Sequence, residues 1–341
     1  MMREQEIERQ FGIKIEAIKP NKGVYFLKTN KGNRCLKKIN YGVQKLLFVY
    51  GAKEHLINKG FTKVDRYCLN VDGSIYASVN EDIYTLSQWI EGRECDFSNI
   101  DDLTLAAKAM AELHEASKGY DPPENSKLKT DIGRWPMLME KRTKALDKMR
   151  DMARKKNMKT SFDLSYIKNY EEFKALGKEA KAILDSSIYP ELCRIAEEDK
   201  SLCHHDYTYH NIIMDKDNNV NIIDFDYCKR EIRAYDIAGF ITKVCKRVNW
   251  DISYAKIIID GYNSIKPIMR DEYKVIYSFL MFPQRFWRLS NRFYYNEVNW
   301  GQKVYDKKIE ALIAELDSFR SFLNEFKECY VVNFEEETKE S

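Results

Sequence analysis

No uninterrupted apolar run in this sequence is long enough to span a bilayer. The opening Met1-Met2-Arg3-Glu4-Gln5-Glu6 places acids where a signal peptide needs an apolar core. The expectation is a chain made in the cytoplasm, with no membrane partner. The eight cysteines (35, 68, 95, 193, 203, 228, 245 and 329) include no Cys-x-x-Cys pair. Disulfides and structural zinc are therefore not expected, and the thiols read as buried free groups in a reducing compartment. An excess of one charge is missing too. With 56 basic against 53 acidic residues the net charge is +3, too small to argue for a nucleic-acid partner. There is no internal repeat and no low-complexity tract apart from the acidic tail Glu335-Glu336-Glu337, which reads as a frayed end.

What is present describes an ordinary globular protein, 44% hydrophobic and 32% charged over 341 residues. That length exceeds what one core fills comfortably, so two lobes are expected. The first ninety residues alternate as an antiparallel sheet with one helix. Val24 to Thr29, a turn at Asn30-Lys31-Gly32-Asn33 and Arg34 to Ile39 form a hairpin signal. Val43 to Lys59 changes to helical spacing through Leu46, Leu47, Tyr50 and Leu56, and Gly60 stops it. Turns at Asp72-Gly73 and Asn80-Glu81-Asp82 separate strands expected at Arg66 to Asn70, Ile75 to Val79 and Ile83 to Ile90.

After Glu91-Gly92-Arg93 the pattern becomes helical, beginning with Leu103, Ala106, Ala107, Met110, Leu113 and His114. Residues 1–91 thus read as a sheet lobe and 92–341 as a larger, mostly helical lobe, with a helical insert at about 134–185. The fold class is α+β. Between Glu140 and Lys159 nine basic residues face three acids, which reads as a solvated helix face. In the second lobe, strands are expected only on either side of Asp215-Lys216-Asp217-Asn218-Asn219, with Asn211 and Asp224 at opposite ends of the adjoining strands.

The chemistry concentrates in Leu202 to Met214 and Ile222 to Asp226. Phosphoryl transfer asks mainly for positioning and charge neutralisation: a carboxylate for the acceptor hydroxyl, oxygen ligands for Mg²⁺, and a cation on the nucleotide phosphates. Asp206 fits the first role as general base, and Asn211 and Asp224 the second. Asp-x-x-x-x-Asn alone is weak. It gains weight from Ile222-Ile223-Asp224-Phe225, because a carboxylate ending a buried apolar strand must be paired or metal-bound. For the cation, Lys37 shares a strand face with Cys35 and Ile39, and Lys38 is the rival on the opposite face. Glu54, in the following helix, is the acid expected to pair with Lys37. A competing reading takes His204, His205, Asp206 and His210 as metal ligands of a phosphohydrolase, but Ile212-Ile213-Met214 is a strand signal where that site needs a helix.

His204-His205-Asp206-x-x-x-x-Asn211 with Ile223-Asp224-Phe225-Asp226 resembles the catalytic loop and metal-binding segment of the aminoglycoside phosphotransferase and choline kinase superfamily. The resemblance implies a bilobal protein-kinase-like fold, with ATP and Mg²⁺ as cofactors. Leu36-Lys37 is similar to the family's phosphate-binding strand and Trp89-Ile90-Glu91-Gly92 to its hinge, which makes Trp89 and Ile90 nucleotide-binding positions. Arg233-Ala234-Tyr235-Asp236 resembles the segment whose acid braces the catalytic loop. Gly23 to Thr29, Trp89 to Glu94 and the basic insert resemble the spore-coat (CotS-type) branch.

That branch implies an ATP-dependent phosphotransferase acting on the hydroxyl of a small molecule or coat component. It would be cytoplasmic at synthesis and deposited in the spore coat among other coat proteins. The alternative is a kinase-fold structural coat protein with weak or no activity. Two departures stand out: Asn21-Lys22-Gly23 offers one glycine where protein kinases have a G-x-G-x-x-G flap, and His205 stands where many relatives have glycine. His205 and His210 read as packing residues. The run Phe282 to Tyr295, rich in aromatics and arginines, reads mainly as core, and its arginines argue against a strongly cationic acceptor.

Overall fold

The computed structural model describes residues 4–295, 297, 298 and 300–332. The tail expected to fray at Glu335–Glu337 lies outside the described residues. The chain divides into two units, Met1–Thr130 with Lys200–Lys229, and Asp131–Asp199 with Arg230–Ser341.

The first unit opens with α1 (Glu4–Phe11), a short amphipathic helix whose buried Ile7 and Phe11 cover one end of the sheet core. It was not foreseen, because eight polar-rich residues give a periodic signal too short to separate from a strand lead-in. An antiparallel sheet follows, in the order β1-β2-β3-β5-β4: β1 (Ile15–Asn21), β2 (Val24–Thr29), β3 (Gly32–Ile39), β4 (Ala77–Val79) and β5 (Asp82–Gln88). Between β3 and β4 runs α2 (Val43–Asn58), ended by Gly60 at φ 89°.

The strand expected at Arg66 to Asn70 is reduced to a single bridge, Tyr67 to Ser87. Asn70 explains part of this. Its side-chain oxygen accepts from the backbone N–H groups of Asp72 (3.0 Å) and Ser74 (2.7 Å), which a longer hairpin would have used.

Beyond Gly92 the chain still belongs to the first unit. β6 (Arg93–Glu94) pairs with β8 (Ile212–Met214), which pairs with β9 (Val220–Ile222), while β7 (Leu202–Cys203) precedes the segment His204 to Asn211. Gly92 is needed for this pairing: a Cβ there would lie 2.3 Å from the Met214 carbonyl oxygen, and its φ is +157°. The boundary expected at Gly92 therefore falls inside the unit. α3 (Ile100–Ala116) is capped by Asn99, whose side chain accepts from the Asp101 and Asp102 amides. It buries Leu103, Ala106, Ala107, Met110, Leu113 and His114, the stripe its spacing predicts.

The second unit is helical: α4 (Trp135–Lys155), α5 (Ser161–Asp185), α6 (Tyr189–Glu198), α7 (Arg233–Cys245), α8 (Ile252–Asn263), α9 (Glu272–Met281), α10 (Gln284–Tyr294), α11 (Gln302–Ala314) and α12 (Leu316–Lys327). α5 begins with a capping box between Thr160 and Asp163, and Asp163 also receives Lys156 at 2.9 Å and Tyr294 Oη at 3.1 Å. Much of the aromatic run is core. Phe286 stacks on Phe173 at 3.8 Å, and Phe293 on Phe162 at 4.0 Å. α4 carries most of the basic segment on its exposed side (Lys141, Lys144, Lys148, Arg154, Lys155) while Met139, Leu146, Met149 and Ala153 are buried. Arg142 departs from that division and turns inward. No helix among the described residues is long and apolar enough to cross a membrane.

Candidate active site

The residues singled out for phosphoryl transfer lie in the first unit, and the β8–β9 hairpin aligns two of them. In an antiparallel pair the start of one strand abuts the end of the next, and here Ile212 opposes Ile222. Asn211, before the start of β8, and Asp224, after the end of β9, lie at opposite ends of the two strands as expected and so flank the same end of the hairpin, and the Ile223 amide donates to the Asn211 carbonyl at 3.0 Å.

Asn211 is buried, and its Nδ2 donates to the Asp206 carbonyl at 2.9 Å and to Asp206 Oδ2 at 3.4 Å. With its nitrogen turned to Asp206, the amide keeps its oxygen for another partner. Asp224 sits at φ 62°, a left-handed position that ends β9 and turns the carboxylate out of the strand.

The opposite wall is β3. Lys37 Nζ reaches Asp224 Oδ1 at 2.6 Å and Asp226 Oδ2 at 2.9 Å. Burial alone would lower the lysine's pKa, but Asp226 and Asp224 outweigh it and hold the ammonium above its ordinary value. Burial likewise pushes Asp224 up, yet Lys37, assisted by Lys53, brings the carboxyl below its ordinary range. The rival, Lys38, faces outward and pairs with Asp82 at 2.7 Å.

Glu54 does not meet Lys37. It takes a two-pronged contact from Arg66, Nε at 2.9 Å and Nη2 at 2.6 Å. The acid that holds Lys37 together with Asp224 is Asp226, which also accepts from Tyr41 Oη at 2.6 Å. Asp226 stood inside the quoted motif without a role, and its spacing of two from Asp224 was the available signal. A second missed residue, and a cation, is Lys53. It is 1% exposed, pairs with Asp65 at 2.9 Å and lies 4.1 Å from the Tyr67 ring and 5.7 Å from that of Phe225.

His204 joins the two halves of the motif. Its Nε2 donates to the Ile223 carbonyl at 3.0 Å while Nδ1 accepts from the Asp206 amide at 3.2 Å, so both ring nitrogens are engaged and neither is left for a metal. His205 stands at φ 65°, which explains why glycine suits that position. His210 is exposed and meets the Tyr209 ring edge-on at 5.0 Å. The expected hinge residues follow β5: the Trp89 amide donates to the Asn33 carbonyl at 3.3 Å, and its ring meets Phe26 at 4.9 Å, with Ile90 half-buried next to it. Asp236, expected to brace the catalytic loop, is buried in the first turn of α7 in the second unit.

The donor set suits a hard divalent cation, since the Asn211 side-chain oxygen and the Asp224 carboxylate are the oxygen ligands Mg²⁺ prefers. A family model described as spore coat putative kinase YutH matches residues 4–326. This chain belongs to that family. Among relatives of this spore-coat kinase family member, spore coat protein S of Bacillus subtilis (strain 168) is 24% identical over 336 residues, 94% of this chain and 92% of the relative. An aminoglycoside phosphotransferase from Alicyclobacillus acidocaldarius superposes with a TM-score of 0.82 at 19% identity, covering 97% and 96% of the two chains. The AMP-bound spectinomycin phosphotransferase APH(9)-Ia gives 0.66 at 13% identity over 90% and 92%. The spore-coat family member thus has the kinase-like α+β fold of the aminoglycoside phosphotransferase and choline kinase superfamily.

Proposed function

We propose that this chain transfers the γ-phosphoryl group of ATP, with Mg²⁺, to the alcohol hydroxyl of a small molecule or coat component, in the setting of the spore coat and its other proteins. Support comes above all from one contact: Lys37 and Asp224, 187 residues apart in sequence, meet at 2.6 Å beside Asn211 and Asp206. In this reading Asp206 accepts the hydroxyl proton, a role typically worth about 10² to 10⁴ in rate. Asn211 and Asp224 hold the metal, which when bound supplies charge neutralisation to the phosphates. Lys37 serves the nucleotide phosphates, Asp226 keeps its ammonium in place when Asp224 turns to the metal, and Trp89 and Ile90 border the base.

A second reading, a coat protein with the kinase fold and little or no activity, is favoured by the β1–β2 connection. Asn21 pairs directly with Val24, so the link is the two-residue turn Lys22–Gly23, with φ values of 46° and 90°, and Lys22 is tied to Glu94. Such a turn is too short to fold over a triphosphate. An acceptor screen followed by ADP release, with Asp206→Asn as control, separates the two. Turnover that falls at least about a hundredfold in the variant supports the enzyme. Full-rate turnover in Asp206→Asn removes that residue from its role. A native chain whose melting temperature is unmoved by Mg·ATP favours the structural protein, because ligand at 100 times its Kd adds about 2.7 kcal/mol.

A further inference from the structure

In the second unit an arginine is packed between two tryptophans without a carboxylate. Helical spacing sets this up. Trp135 and Arg142 lie two turns apart on one face of α4, and Gln284, Trp287 and Arg288 share a face of α10. The Arg142 guanidinium carbon is 5.3 Å from the Trp135 ring centre and 4.7 Å from that of Trp287, and its Nη1 donates to Gln284 Oε1 at 2.8 Å. Trp135 is itself fixed, stacked on Tyr235 at 4.8 Å with Nε1 donating to buried Glu231 at 2.8 Å.

Among the described residues no carboxylate lies within ion-pair distance of Arg142 or of Arg288. Asp131, the acid whose charge Arg142 feels, is paired with Arg134 at 3.3 Å. Burial lowers the pKa of the Arg142 guanidinium. Arg288 adds to that, and Tyr235 and Asp131 oppose it. The Trp287 Nε1–H, also buried, has no hydrogen-bond partner. A buried indole N–H without a partner is costly to keep, and a guanidinium held by stacking on aromatic rings, with N–H groups beyond the one given to Gln284, can grip a carboxylate or phosphate through its planar fork.

We propose that Arg142, Arg288 and the Trp287 indole N–H form a binding site for a small organic oxyanion, a carboxylate or a phosphate monoester. The site stands on the geometry of the second unit alone and is independent of the phosphotransferase reading. Intrinsic tryptophan fluorescence of the full chain tests it, with benzoate, phenyl phosphate and tetramethylammonium as probes. The expected result is saturable quenching by benzoate, phenyl phosphate or both, none by tetramethylammonium, and affinity weakened at least about tenfold in Arg142→Met and in Arg288→Met. Comparing the two anions decides between carboxylate and phosphate. Arg288 is exposed, so its variant tests the site even where Arg142→Met fails to fold. Anion quenching unchanged in Arg288→Met, quenching by tetramethylammonium instead, or no quenching by either anion up to about 50 mM overturns the proposal.

Discussion

Replacing Lys37 by methionine removes the ammonium that Asp224 and Asp226 share at 2.6 and 2.9 Å, leaving two carboxylates facing each other in a half-buried site. At a spacing of about 5 Å and an effective dielectric constant of about 20, their repulsion is about 3 kcal/mol. Protonating either carboxyl relieves that repulsion, so the deficit of the variant shrinks as pH falls. In the native protein Asp224 is held below its ordinary value, so its contribution is present at neutral pH and lost only as pH falls through that depressed value. In the variant the like-charge pair has the opposite sign: its penalty is full while both carboxyls are ionised and vanishes only below the pH at which the same groups protonate in the unfolded chain.

The variant's deficit should therefore be about 3 kcal/mol at pH 7.5, roughly 6–12 °C in melting temperature for a unit of this size, and smaller at pH 5. Differential scanning fluorimetry at the two pH values measures it, with Lys38→Met as control. Lys38 pairs with Asp82 on the surface, where such pairs contribute little, and its loss should leave both melting temperatures unchanged. A Lys37→Met deficit equal at both pH values, or none at pH 7.5, would refute the reasoning.

Asp224→Ala should abolish Mg²⁺-dependent nucleotide binding in calorimetry while the circular dichroism spectrum is retained; unchanged affinity contradicts the metal role. Glu54→Gln should leave nucleotide affinity within about twofold, because Glu54 faces Arg66, and a loss of tenfold or more would put that acid back beside Lys37. Gly92→Ala should cost about 2–4 kcal/mol in urea unfolding, since its Cβ would lie 2.3 Å from the Met214 carbonyl oxygen and 2.8 Å from Ile213 Cγ2. A loss below about 1 kcal/mol would show that β6 and β8 part easily.

The placement of Asp206, Asn211 and Asp224 beside one another was legible because they lie within one short stretch whose strand and turn signals are local, so backbone geometry alone orders them. Lys37 against Lys38 was legible from strand alternation, which puts neighbouring side chains on opposite faces. Glu54 was harder. Its position in α2 was readable, but which cation it met depended on Arg66, in a segment whose strand-like pattern never becomes a strand. Lys53 was hidden for a related reason: a lysine between alanine and glutamate in a helix looks solvated, and only the folded positions of Asp65 and Tyr67 bury it. The α1 helix and the pairing of β6 with β8 are also non-local, resting on contacts no window of sequence contains.

The division of the first unit, which is left at Thr130 and re-entered at Lys200, has a consequence for biosynthesis. Lys37 emerges from the ribosome 187 residues ahead of Asp224. At typical elongation rates of about 5–20 residues per second, the sheet waits roughly 10–40 s with an unpaired ammonium before its two acidic partners arrive. The nascent sheet is thus an incomplete half during translation, and any factor that guards it must hold on until the β8–β9 hairpin has left the exit tunnel.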